Sequence, residues 1–195
     1  MTVGFYGKLP ARGDFVRSGL PRDFTDPWDE WLQSVMTGSQ TLMGDAWLPA
    51  FLEAPVWRFA LPPGMCGALA VLGLMLPSVD RAGRYFPLTF AALSPRGIVV
   101  ETAEAWLDTC EAAGRDALEL DTSPQELAAA LGAPDLALQT AASAEAAWWS
   151  EASRLVLRCL PDATMFAAML VAPGDCDSAG SGGDEPGERT WESTS

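Results

Sequence analysis

The stretch MCGALAVLGLML, residues 65–76, contains no charged side chain, and its length decides what it can become. A bilayer-crossing helix needs about 20 apolar residues, which this run does not reach. Its aliphatic and β-branched residues show no helical polarity, so it is expected to be a buried strand. The segment before it, VWRFAL at 56–61, alternates apolar and polar, and PPG at 62–64 supplies a turn, so the two runs predict an antiparallel hairpin. YFPLTFAAL (85–93) resumes strand character after the loop PSVDRAGR, and Pro87 within it predicts an edge position or a bulge. The chain also opens on a strand: Val3, Phe5 and Gly7 alternate with Gly4, Tyr6 and Lys8 up to Leu9-Pro10, before a turn through ARGD.

Helical signals lie between and after these strands. In DFTDPWDEWLQSVMTG, Asp26 is the expected N-cap with Pro27 at the first helical position. Trp28, Trp31, Leu32 and Val35 follow helical spacing, and Gly38 is the expected stop. SQTLMGDAWLPAFLEA predicts a second short helix ending before Pro55, with Pro49 marking a kink or break. Later, Ala103, Trp106, Leu107 and Cys110 share one face of a helix with carboxylates opposite, and Ser123 and Glu126 form a capping box around Pro124. AAWWS and RLVLRCL read as further strands. Asp162 caps a terminal helix whose Met165, Phe166, Met169 and Leu170 point inward.

The chain has 195 residues, 49% of them apolar, enough for one sizeable core. One globular domain over 1–171 is expected. Residues 172–195, rich in Gly, Ser, Pro and acid with a lone Trp191, bury too little apolar surface to offset their ordering entropy, which predicts a disordered acidic tail. Residues 1–97 hold eight basic and eight acidic side chains, whereas 98–195 hold four and eighteen, so the whole net charge of −14 sits in the second half. Such a balance repels a phosphate backbone, which argues against nucleic acid and for a protein partner. The N-terminus shows no signal-like apolar core before its charges begin, so a cytoplasmic location without membrane insertion is expected.

The chain contains no histidine. That removes Ser-His and Cys-His nucleophile pairs, the H-E-x-x-H zinc helix and the commonest general base. Cysteines 66, 110, 159 and 176 lie far apart with no C-x-x-C, and are expected to be buried free thiols. No phosphate-binding GxxxxGK is present. Neither an enzyme nor a cofactor is expected.

GFYGKLPARGDFVRSGLP (4–21), APVWRFAL (54–61), PSVDRAGRYFPLT (77–89) and a late WW followed by LPDATMFAAML (160–170) resemble the TagF family, also called ImpM, of the type VI secretion system. The resemblance runs in order over residues 3 to about 171. It implies an α+β fold, a longin-like three-layer α-β-α sandwich around a mostly antiparallel sheet. It also implies a post-translational repressor that binds the forkhead-associated scaffold protein of the secretion apparatus.

Two loops carry the polar residues of these motifs. Gly7, Pro10 and Gly13 supply a tight turn, while Arg12, Asp14 and Arg17 can pair locally or with Asp80, Arg81 and Arg84. One reading makes these six residues a surface for a partner. The other makes them a network of Arg–carboxylate forks that fixes the loops on the sheet, the reading favoured for Asp14 and Asp80. Trp148 and Trp149 face opposite sides of a strand, making the outward ring, taken as Trp149, a further candidate anchor. The alternative functions are a small hydrolase or anion-binding enzyme using Arg12, Asp14, Asp80 and Arg84, or a structural subunit of the secretion machine.

Overall fold

The computed structural model describes residues 1–120, 122–132, 137–139 and 144–171; the expected tail lies outside them. Strand β1 (Thr2–Gly7) and the short β2 (Val16–Ser18) flank the first loop, and helix α1 runs over Arg22–Met43. After one 3-10 turn comes α2 (Trp47–Glu53), then β3 (Trp57–Leu61), β4 (Ala70–Leu76) and β5 (Leu88–Ser94). A two-residue strand β6 (Gly97–Ile98) precedes α3 (Glu104–Glu119) and α4 (Pro124–Ala130). The described residues end with β7 (Leu138–Gln139), β8 (Ala146–Trp149), β9 (Arg154–Leu157) and α5 (Ala163–Leu170).

Seven strands form one sheet in the order β2-β1-β5-β4-β3-β8-β9, every neighbour antiparallel, while β6 and β7 pair separately. Helices cover both faces, which is why β4 and β5 are buried along their whole lengths. On one face Val71 and Met75 of β4 join Phe24, Trp28 and Leu32 of α1, Phe51 of α2 and Phe166 of α5. On the other, Leu72, Leu74 and Leu76 join Trp106, Leu107 and Cys110 of α3 and Leu127 of α4. The expected three-layer sandwich is therefore present. No helix among the described residues is long and apolar enough to cross a membrane.

The structure corrects several local expectations. The hairpin forms, but β4 begins at Ala70; residues 65–69 instead pack on the start of α1, where the Cys66 thiol donates to the Phe24 carbonyl at 3.7 Å. Pro87 lies outside β5, which is not an edge but sits between β1 and β4. Helix α1 starts at Arg22, not at Pro27, because Phe24 and Trp28 are both fully buried on its inner face. An interior proline costs about 3 kcal/mol, an amount that burying Phe24 at roughly 1.5–3 kcal/mol largely offsets.

Gly38 does not end α1, which continues to Met43 with Gly44 as its cap. It is instead where α5 crosses: a Cβ there would collide with that of Ala163. The capping box at Ser123 and Glu126 and the Asp162 cap, whose carboxylate accepts from Met165 N–H at 2.8 Å, form as expected. Cys66 and Cys110 are buried free thiols, but Cys159 is exposed.

Candidate functional site

Strand β1 ends at Gly7 and β5 begins at Leu88, so the loops that follow and precede them, 8–15 and 77–87, rise from the same end of the sheet. Gly7 has φ +146°, and a Cβ there would collide with the Pro87 carbonyl oxygen. Only glycine lets the two loops leave the sheet this close together.

Asp80 clasps the pair. Its side chain is fully buried and accepts four hydrogen bonds. Lys8 Nζ (2.9 Å) and Arg84 Nε (2.7 Å) donate to one carboxylate oxygen, and the backbone N–H groups of Ala82 and Arg84 (both 2.9 Å) donate to the other. Burial alone would push this carboxyl upward. The bonds from Lys8, from the Arg84 backbone and guanidinium and from Ala82 outweigh it and hold the group well below the usual carboxylate range.

Bonds to backbone carbonyls sew the loops together around this centre. Arg81 N–H donates to the Arg12 carbonyl at 2.9 Å, Ser78 Oγ donates to the Lys8 carbonyl at 2.7 Å, and the Arg84 guanidinium reaches the Gly13 carbonyl. Lys8 is itself buried, its ammonium 5.0 Å from the centroid of the Phe15 ring. Phe15 stacks on Tyr6 at 5.5 Å and meets Phe86 edge-on at 4.8 Å, yet is 43% exposed. Tyr6 donates to Asp29 at 2.6 Å; burial and that carboxylate raise its pKa above the ordinary phenol value.

The six expected loop residues thus divide. Asp80 is structural and offers nothing to a partner, and Arg84 is half committed to it. Arg17, exposed, makes one long bond from Nη1 to Thr25 Oγ1 at 3.4 Å. Arg12, Asp14 and Arg81 are exposed, and their side chains have no hydrogen-bond or ion-pair partner among the described residues. Asp14 therefore takes no part in the expected Arg–carboxylate network. Nor does it meet Asp80 as an acid–base pair, since the buried carboxylate already accepts bonds on both of its oxygens.

Trp149 ends β8 at this same end of the sheet, four strands from β1, roughly 19 Å away at 4.7–4.9 Å per strand. Its ring is not an exposed anchor. Both faces of the sheet are covered, so Trp148 is buried among Trp28, Trp31 and Phe59, and Trp149 is half-buried beside α3. There it lines a cleft of about 660 Å³ with Arg58, Glu104, Asp108 and Glu111. Arg58 donates to Glu104, to Asp108 at 2.6 Å and to Glu111 at 3.1 Å. Burial opposes its charge, but the bonds to Asp108 and Glu111 and the field of Glu104 prevail and raise its pKa.

The family described as the TagF N-terminal domain, type VI secretion system-associated, matches residues 4–134. The chain belongs to the TagF family. It is accordingly a type VI secretion system-associated protein. The TagF match takes in both clasped loops and ends before β7, β8, β9 and α5. Those later elements have a counterpart in the crystal structure of PA0076 from Pseudomonas aeruginosa PAO1, which is 33% identical with a TM-score of 0.77 over 98% of this chain and 99% of that one. No curated protein matches.

Two residues of this TagF chain escaped the sequence reading. Lys8 is the sole lysine against eleven arginines, a rarity that points to a site where a compact ammonium fits and a guanidinium does not. Arg58 is the one charge in the alternating strand VWRFAL, placed opposite an acidic helix that sequence alone could not position.

Proposed function

We propose that this protein represses type VI secretion after translation by binding the forkhead-associated scaffold protein of the apparatus in the cytoplasm, and that the clasped loops are its docking surface. Membership of the TagF family supports the pathway. One observation carries the site: Arg12, Asp14 and Arg81 are exposed without partners among the described residues, on loops fixed by a buried four-bonded carboxylate. Exposed charges ordinarily sit on flexible segments and lose side-chain freedom on binding. Here the backbone beneath them is already ordered, so less is lost when a partner docks. The partly exposed ring of Phe15, on the same loop as Arg12 and Asp14, supplies the apolar contact that charges alone lack.

A repressor that works by occupancy must approach its target in amount. Graded overexpression is therefore expected to silence secretion in proportion, and deletion to raise basal secretion. Arg12→Ala, with Arg81→Ala, is expected to weaken capture of the scaffold from extract at least tenfold while leaving the thermal midpoint within about 2–4 °C, the shift that 1 kcal/mol produces at this size. Unchanged capture by the double variant would remove the loops from the interface. Unchanged secretion in both strains, with no scaffold captured, would overturn the repressor reading itself.

A further inference from the structure

Helix α5 ends at Leu170, which packs in one small apolar depression with Pro77 and Pro87. Those two prolines bracket the Asp80 loop. The chain beyond Val171 therefore starts beside the arginine-bearing loops rather than on the acidic α3 side of the sheet.

That remaining segment, 172–195, carries Asp175, Asp177, Asp184, Glu185, Glu188 and Glu192 against a single Arg189, with Trp191 near its end. The surface it leaves beside has the opposite character. Arg12 and Arg81 are exposed and unpaired among the described residues, Arg84 is 57% exposed, and the Phe15 ring is 43% exposed on the first of the two loops, with Asp14 the one exposed acid there. Reach is not limiting: at roughly 3.3–3.6 Å per extended residue, 24 residues span about 80 Å, against a radius of gyration near 15–16 Å for a domain this size.

We propose that the acidic segment 172–195 docks on the clasped loops of its own chain, its carboxylates on Arg12, Arg81 and Arg84 and Trp191 against Phe15. Tethering supplies a local concentration in the millimolar range, so contacts too weak to hold a free peptide suffice. An external partner must then displace the segment, which makes it an internal competitor. This last step alone rests on the loops being the partner surface; the docking does not.

The test uses the full chain carrying Cys159→Ser, Cys176→Ser and Ser193→Cys, spin-labelled at 193; Cys66 and Cys110 are buried and stay unlabelled. Amide signals of Arg12, Gly13, Arg81, Ala82 and Gly83 are expected to lose intensity, while those of α3 keep it. The loss is expected to vanish in about 1 M salt, where the screening length falls to roughly 3 Å. It is also expected to vanish when Asp184, Glu185, Glu188 and Glu192 are changed to their amides, substitutions that leave the described domain untouched. Intensity loss spread evenly over the molecule, or loss that survives both salt and neutralisation, would overturn the docking. Scaffold capture, measured separately on the amide variant, is expected to strengthen several-fold. Unchanged capture alongside confirmed docking would count against the loops as the partner surface and leave the docking standing.

Discussion

Asp80 and Arg12 sit on the same pair of loops and are expected to behave in opposite ways when removed. Asp80→Ala leaves Lys8 buried with no counter-charge, and breaking one side of a buried pair costs about 3–5 kcal/mol, or roughly 6–20 °C in melting temperature for a chain this size. The sign of the acid response follows from the same carboxyl. Its pKa is depressed in the folded state relative to about 3.9 unfolded, so its stabilisation is complete above that value and is lost progressively as the pH falls from there toward the depressed folded value. The gap between wild type and Asp80→Asn in denaturant titrations is therefore expected to be level above about pH 5 and to narrow steadily as the pH falls below about 4. A gap that keeps its full size down to pH 2 would mean the carboxylate is not what holds the loops. The cysteines give an independent check on order. Burial pushes the thiols of Cys66 and Cys110 up to about 12, so at pH 8 peptide mapping is expected to find Cys159 modified at once and those two only after unfolding. The motifs displayed the residue types of this site plainly. They could not say which acid is buried, because Asp14 and Asp80 differ only in what the fold brings to them.

Elements were legible where a local rule and the packing agree. The Ser123 capping box, the Asp162 cap, the 57–76 hairpin and the face of α3 each rest on short-range chemistry that the tertiary fold leaves intact. The start of α1 and the passage through Gly38 were misread for one reason: proline and glycine report local cost, whereas burial of Phe24 and contact with α5 lie elsewhere in the chain. Gly38 offers a direct test. In an exposed helix Gly→Ala gains up to about 1 kcal/mol, but here the added methyl overpacks the crossing, at a cost of about 1–3 kcal/mol. Gly38→Ala is expected to destabilise by about 1–2 kcal/mol, and Ala163→Gly to recover most of that in a double-mutant cycle by denaturant unfolding. Additive effects would show that α1 and α5 do not touch there.

At the scale of the whole molecule, the first strand pairs with a strand some 85 residues later, Thr2 facing Leu93, and the sheet is completed on its far side by β8 and β9, the last strands among the described residues. A chain ending at Val171 keeps every one of these pairings, and its melting temperature is expected to lie within about 2–4 °C of the full chain, since screened surface charge contributes no more than about 1 kcal/mol. The order of the layers has another consequence, set by time rather than energy. Helix α1 is finished by Met43, but α5, which covers Trp31 and closes over Gly38, does not begin until Ala163. At a ribosomal pace of roughly 5–20 residues per second, the aromatic side of α1 waits on the order of 6–24 s for its cover. Nascent chains of this protein therefore carry an uncovered tryptophan-rich face through most of their synthesis, and a product released before residue 163 is one the cell must shield or degrade rather than fold.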